Sequence, residues 1–255
     1  MAAEIDVFLS RSDNIGVLMH DPKTGATATV DVPDAEALLA ALARTGWSLT
    51  DILVTHKHGD HIEGIPAVKA RTGARVVGPR AEAAAIPDLD ATVVEGDEVI
   101  VGSFKAKVIA TPGHTAGHIA YWFAEEHALF AGDTLFAMGC GRLFEETPAK
   151  MWDSLQKLAA LPDDTRLYCG HEYTQSNARF ALAVTPDDPA VVSRAKQIDE
   201  TRTAGRLTIP STLGEEKATN PFLRAGDPAL ARAVDLDGSE PAAVFAALRA
   251  WKDRF

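Results

Sequence analysis

Residues 55–61 read THKHGDH, three histidines and an aspartate in seven positions. Histidines packed this closely repel one another when protonated and serve no packing purpose when neutral. A fold that holds them has to offer them a metal, on a rigid junction. The preceding DILV is mostly apolar, so the motif sits where a strand runs into a loop ahead of a helix. His56 and His58 are two apart and point to one side of an extended chain. Asp60 and His61 are adjacent and diverge unless the backbone turns, which Gly59 permits. One ion can take the first pair and a second ion the next. This is not the i, i+4 pairing of a helical H-E-x-x-H site.

Further donors lie beyond the motif. His114 falls in TPGHTAGH, Asp133 in LFAGDTLF and His171 in YCGHEYT, each beside a glycine after an apolar run. Strand-end loops of this kind are where sites are usually built. A structural zinc site normally takes four ligands rich in cysteine and leaves no open position. Seven nitrogen and oxygen donors without a thiolate suit two catalytic ions instead. His118 reads as a residue that supports the ligands, and His20 and His127 as ordinary polar residues. Cys140 and Cys169 read as core cysteines, and there is no G-x-S-x-G nucleophile elbow.

Eight runs read as strands: IGVLMHD, ATATVDV, DILVTH, RVVGP, ATVVEGDEVIV, FKAKVIATPG, HIAYWF and ALFAGD. Three helices interleave with them: DAEALLAALARTG with Asp34 as cap and Gly46 as stop, HIEGIPAVKARTG, and TPAKMWDSLQKLAAL with Pro148 in its first turn. That alternation predicts an α/β layered domain over residues 1–173. TQSNARFALAV, PAVVSRAKQIDETRTAG and the terminal EPAAVFAALRAWKDRF are helical by periodicity. Residues 174–255 therefore read as a smaller helical unit, tied by the irregular loop TIPSTLGEEKATNPFLRAGDP, with no convincing strand after Tyr173.

The formal net charge of −11 argues against a general nucleic-acid or acidic-membrane binder. An acidic substrate then needs a local cationic patch. No apolar run is long enough to span a bilayer, and MAAEIDVFLSRSDN lacks the marks of a secretory signal. Two cysteines cannot build a disulfide framework, so the cytoplasm is the expected compartment.

Taken in order, THKHGDH, TPGHTAGH, AGDT and GHEYT resemble the metallo-β-lactamase superfamily. GCGRLFE, HEYTQSNARFALAV, NPFLR and RAWKDRF resemble one branch of it, glyoxalase II or hydroxyacylglutathione hydrolase, over nearly the whole chain. The resemblance implies an α/β protein: an αββα metallo-β-lactamase-like sandwich followed by a smaller helical C-terminal domain that binds substrate. It implies one metal site of His56, His58 and His114, a second of Asp60, His61 and His171, and Asp133 bridging both. Arg142, Tyr173, Arg249 and Lys252 match positions that contact the glutathione part of the substrate. By residue type alone, the three cations read equally as surface charge and Tyr173 as a packing aromatic. Arg142 stands where relatives often carry lysine, Phe144 where some carry tyrosine, and Ile15 where an aromatic is common.

The implied activity is hydrolysis of S-(2-hydroxyacyl)glutathione thioesters, S-D-lactoylglutathione foremost, in methylglyoxal detoxification. The implied protein is a monomer with two divalent ions, zinc foremost, since such donors also accept iron or manganese. Competing readings are a persulfide dioxygenase with one iron, a lactonase, and a non-catalytic metal-binding module; the full set of seven ligands argues against the last. Two divalent ions bring four positive charges, of which Asp60, Asp133 and a bridging hydroxide return three. About one net positive charge remains and favours hydroxide, the expected nucleophile, near neutral pH. A thiol of pKa about 8.5 departs as thiolate, so no dedicated general acid is needed. Arg249 and Lys252 are three apart in LRAWKDRF and share one face of a helix, a spacing that suits a carboxylate.

Overall fold

A computed structural model describes residues 2–255. The first sheet holds β1 (Glu4–Ser10), β2 (Asn14–His20), β3 (Thr27–Val30), β4 (Asp51–Leu53), β5 (Arg75–Pro79) and β6 (Ala91–Val93), hydrogen-bonded in chain order. β1 to β3 are antiparallel neighbours, and β3 to β6 pair in parallel. The second sheet holds β7 (Glu98–Val101), β8 (Phe104–Ala110), β9 (Ile119–Phe123) and β10 (Ala128–Gly132). A two-stranded hairpin follows, β11 (Leu135–Phe136) and β12 (Gly139–Cys140), then β13 (Arg166–Cys169) and β14 (Ser211–Thr212). Their order in the second sheet is β14-β13-β10-β9-β8-β7.

Alternation along the strands decides the layering. In β2, Val17 and Met19 join the apolar layer between the sheets, while Leu18 joins the layer under the outer helices. In β8 and β10, Val108 and Phe130 face the other sheet, and Ile109 and Leu129 face the second helical layer. Tyr121 of β9 spans the gap, its hydroxyl donating to the Val54 carbonyl at 2.9 Å.

The helices cover both outer faces. α1 (Ala35–Thr45), the short α2 (Gly59–Ile62) and α3 (Ile65–Thr72) pack on the first sheet through Leu38, Ile62, Ile65 and Val68. Asp34 caps α1 by accepting from the Ala37 N–H, and Gly46 ends it in the left-handed region. α4 (Pro148–Ala159), α5 (Thr174–Val184), α6 (Pro189–Thr203), α7 (Leu213–Thr219), α8 (Pro228–Ala233) and α9 (Pro241–Lys252) follow. Met151, Leu155, Phe180, Phe222, Phe245 and Leu248 form one apolar layer with Leu129 and Leu167 of the second sheet. The architecture is an αββα sandwich extended by C-terminal helices.

Several local expectations need correction. β1 and β13 lie outside the expected strands: β1 is seven residues long, as long as any strand here, and β13 is a four-residue run. ATVVEGDEVIV is two strands, because the chain crosses at Gly96 (φ +86°) from the first sheet to the second. HIEGIPAVKARTG breaks into α2 and α3 at Gly64, where an added Cβ would lie 2.9 Å from the Val32 carbonyl oxygen and the Ala35 nitrogen. A strand does follow Tyr173: β14 pairs with β13 through Thr212 and Ser211. The supposedly irregular loop also contains α7, which starts on a Thr212–Glu215 capping box.

Candidate metal centre and substrate cavity

The strand ends of both sheets meet at one point. THKHGDH follows β4 of the first sheet; His114, Asp133 and His171 follow β8, β10 and β13 of the second. The Ile119 N–H donates to the Thr55 carbonyl at 3.0 Å, joining the sheets beside the motif. His56, His58 and His114 form one triad of donor atoms, and Asp60, His61 and His171 form another. His58 Nδ1 lies 3.2 Å from His56 Nε2 and 2.9 Å from His114 Nε2. Asp60 Oδ2 is 3.4 Å from His171 Nε2 and 3.9 Å from His61 Nε2.

Asp133 stands between the triads. One oxygen lies 3.4 Å from His61 Nε2; the other lies 3.4 Å from both His114 Nε2 and His171 Nε2. His61 Nε2 and Asp133 Oδ1 face each other in the interior, and neither makes a hydrogen bond. Two opposed, buried, unpartnered polar atoms are what a cation between them would satisfy. Donors about 2.0–2.2 Å from a tetrahedral ion stand roughly 3.3–3.5 Å apart, close to the spacings here. The residues fit a pair of divalent ions.

Side chains around the ligands select which ring nitrogen faces inward. His61 Nδ1 is 2.7 Å from Asp31 Oδ2, and His171 Nδ1 is 2.9 Å from Asp13 Oδ1. His114 Nδ1 donates to the Arg142 carbonyl at 2.9 Å. Asp31, itself at φ +58°, also accepts from the Thr55 N–H and hydroxyl. Asn14 donates to the Asp60 carbonyl at 3.1 Å. Buried Glu82 accepts from the N–H groups of Lys57 and Gly117, bracing the two histidine loops against each other. His118 accepts the Asp133 N–H on Nε2 at 3.0 Å, which fixes the loop of the shared carboxylate. His20 stacks on Trp47, and His127 pairs with Asp164 at the surface.

Asp13, Asn14, Asp31 and Glu82 are not visible as site residues in the sequence. Asp31 comes nearest, as an acidic residue at the end of an apolar run.

The electrostatics follow from burial and charge. Burial pushes His56 and His118 well below the usual histidine range, and His114 also down. Burial acts on His61 in the same direction, but Asp133 and Asp31 outweigh it and raise it well above that range. For His171, burial is outweighed by hydrogen bonds to Asp133 and Asp60, which lift it to about 10. Without ions, carboxylates and imidazoles here must share protons; with ions, the positive charge replaces them.

The centre opens into a cavity of about 530 Å³. Phe144, Arg142, Tyr173 and Lys252 line it together with His58, Asp60 and His171. Phe144 is exposed and sets its ring edge against His58 and His114. Lys252 Nζ donates to the Ser176 carbonyl at 3.2 Å and lies over the rings of Phe180 and Phe255. Arg249 also lines the cavity, but its guanidinium is buried. It donates to the Cys140 carbonyl at 2.9 Å and to Asp253, and lies over the Phe222 ring.

Residues 16–171 match the family model of the metallo-beta-lactamase superfamily, and residues 172–255 match that of the hydroxyacylglutathione hydrolase C-terminus. A hydroxyacylglutathione hydrolase from Methylobacterium nodulans is 62% identical over 253 residues, covering 99% of each chain. One from Rhodopseudomonas palustris is 56% identical over the whole of both chains. The chain belongs to the hydroxyacylglutathione hydrolase family. Among solved structures, ETHE1 from Myxococcus xanthus is similar at a TM-score of 0.67 and 30% identity, covering 99% of this chain and 98% of that one. TTHA1623 in a di-iron-bound form is similar at a TM-score of 0.61 and 25% identity, covering 84% and 98%. In this member of the hydroxyacylglutathione hydrolase family, all seven candidate ligands fall in the superfamily segment. Tyr173, Ser176, Arg249 and Lys252 come from the hydroxyacylglutathione hydrolase C-terminus, so the cavity lies where the two segments meet.

Proposed function

We propose that this chain hydrolyses the thioester of S-(2-hydroxyacyl)glutathione, S-D-lactoylglutathione foremost, to glutathione and a 2-hydroxy acid. The observation that carries the reading is the cavity that joins five of the seven donors, His58, Asp60, His114, Asp133 and His171, to a wall bearing Arg142 and Lys252. Full-length relatives bearing the hydroxyacylglutathione hydrolase name support it. His56, His58 and His114 would hold one divalent ion and Asp60, His61 and His171 the other, with Asp133 shared. Zinc is the proposed ion; the donor set also takes iron or manganese. Bound divalent ions supply Lewis acidity and bring the pKa of water toward neutrality.

The chain's own residues supply the rest. Asp60 and Asp133 lower the net charge of the centre. Phe144 and Tyr173 narrow the approach to it. Arg142 and Lys252 would take the glutathione carboxylates, with Arg249 supporting that wall through its bonds to Cys140 and Asp253. The thiolate leaves unaided at a thiol pKa of about 8.5. Residues 1–173 then carry the chemistry and, through Arg142 and Tyr173, part of the recognition, which 174–255 complete. We place the protein in the cytoplasm as a monomer. Both cysteines are free and buried, as suits a reducing compartment, and no helix among the described residues is long and apolar enough to cross a membrane.

The test compares kcat/KM across glutathione thioesters, β-lactams, lactones and glutathione persulfide, with metal content measured on the same preparation. The highest value is expected for a 2-hydroxyacyl glutathione thioester at two ions per chain. A better rate on the persulfide or a β-lactam than on every thioester would overturn the assignment.

A further inference from the structure

Four buried side chains of the C-terminal segment converge on the β11–β12 hairpin. Asn220 Nδ2 donates to the carbonyls of Phe136, at 3.1 Å, and Gly139, at 3.0 Å. Asn177 donates to the carbonyl of Ala137 at 3.1 Å, and Arg249 to that of Cys140 at 2.9 Å. Glu216 accepts from the Met138 N–H at 2.7 Å and from Asn220 Nδ2 at 3.0 Å. Its other oxygen is held by Ser211 and Arg194. Met138 sits at φ +60°, where a non-glycine residue needs support from outside its own turn. Gly139 has no Cβ, and one placed there would lie 2.4 Å from Asn177 Nδ2. The hairpin is therefore clamped at nearly every peptide by residues remote in sequence.

The ends of this hairpin are parts of the metal centre. Asp133 and Thr134 lead directly into Leu135, and Gly141 and Arg142 follow directly from Cys140. Asp133 is the carboxylate between the triads, and the Arg142 carbonyl fixes the ring of His114. The Gly141 N–H donates to the Thr134 carbonyl at 3.2 Å, closing the base so that both ends move together. A tilt of the hairpin displaces the shared carboxylate and the His114 support at once.

We propose that Asn220 and Glu216 are positioning residues of the metal centre, setting Asp133 and His114 through the clamped hairpin. The C-terminal segment then governs how tightly ions are retained as well as which substrate is bound. The inference rests on the reading of the seven donors as a dinuclear site. Asn220→Leu keeps the shape and removes the two amide N–H donors, shared by two buried carbonyls and Glu216, together with the oxygen that accepts the Phe222 N–H.

The experiment measures zinc affinity by chelator competition in the full-length wild type, Asn220→Leu, Asn177→Leu and Leu38→Ala. Leu38 packs in the opposite outer layer and controls for general destabilisation. Absorption of the cobalt-substituted proteins is recorded alongside. Asn220→Leu is expected to bind zinc about tenfold more weakly and to shift the cobalt bands. Asn177→Leu should move both readouts the same way by less, and Leu38→Ala should move neither despite a lower Tm. Equal zinc affinity and unchanged cobalt bands in Asn220→Leu would overturn the proposal. If Asn220→Leu does not fold, Asn177→Leu decides by the same criterion. Because no substrate is present, a wild type inactive on every thioester would overturn the proposed function and leave this inference intact. A wild type that binds no zinc would overturn both.

Discussion

The ring of Tyr173 lies parallel to that of His171, with centroids 4.6 Å apart and planes within 5°. One face of the His171 ring is thus covered by a residue that also lines the cavity. Such stacking is worth about 0.5–1.5 kcal/mol. Tyr173→Phe should keep the stack and the ions while raising KM for glutathione thioesters, if the hydroxyl contacts substrate. Tyr173→Ala should also loosen His171, weakening ion retention by roughly two- to tenfold. Steady-state kinetics and metal titration on both variants check the split; identical behaviour of the two would remove the hydroxyl from substrate binding.

Asp133 touches donors of both triads, whereas His171 belongs to one. Asp133→Ala is expected to lose ions from both positions, with a fall in kcat beyond the ~10²–10³ of a single lost oxyanion donor. His171→Ala should retain close to one ion per chain. Metal stoichiometry by emission spectrometry reads the difference directly.

Gly170 is required by close approach. A Cβ there would lie 2.3 Å from Asp133 Oδ1 and 2.8 Å from His61 Cε1. Gly170→Ala should fold, since the conflict involves side chains at the cavity floor, yet bind zinc at least about tenfold more weakly. Circular dichroism with zinc competition decides it; wild-type affinity would show that the loop yields at no cost.

Lys252 predicts a pH effect. Burial, then Arg249, Arg179 and Arg142, depress its ammonium to about 8, with Asp253 acting the other way. The residue is charged below that value and neutral above it. KM for thioesters carrying the glutathione carboxylates should therefore rise as pH passes upward through about 8. A small thioester without those carboxylates should show no such rise, and Lys252→Arg should abolish it. For stability the sign is the reverse of a salt-bridged lysine. The folded state gives up this proton more readily than the unfolded chain, so the destabilisation is full below about 8 and relieved as pH climbs toward the ordinary lysine value.

Arg249 and Lys252 share a helix face but differ in their partners, Cys140 and Asp253 for the first and Ser176 for the second. Lys252→Ala should impair glutathione thioesters and spare the small control. Arg249→Ala removes charge-assisted bonds to Cys140 and Asp253, worth about 1.5–3 kcal/mol, and should lower Tm by several degrees. It should slow both substrates, because the Cys140 carbonyl belongs to the hairpin that ends at Asp133. Selective loss on glutathione thioesters alone would make Arg249 a direct ligand.

The donors of the centre were legible because three histidines and an aspartate lie in one heptapeptide, and His114, Asp133 and His171 each sit beside a glycine after an apolar run. The residues that orient them were not. Asp13 reads as a turn residue in SRSDN, and nothing local says that its partner is His171, 158 residues further along the chain. Glu82 reads as helical surface charge in PRAEAAA, yet it is buried between two loops. The layered fold was legible from alternation. The crossing at Gly96 was not, because a glycine inside a β-branched run reads as a bulge as readily as a change of sheet. β14 is two residues long and owes its existence to β13, so no periodicity announces it.

Each triad takes donors from the loop of the first sheet and one from the second, so neither half of the sandwich owns a complete site. The ions would act as rivets through the seam between the sheets. Binding energy gained there is conformational stability for the whole molecule, about 4 kcal/mol at a thousandfold excess over Kd. Stripping the ions releases the seam as well as the chemistry. During synthesis the first triad is complete once His114 has emerged, whereas the second cannot close until the strand ending at Cys169 has delivered His171, so the ion there would be the later one to be held.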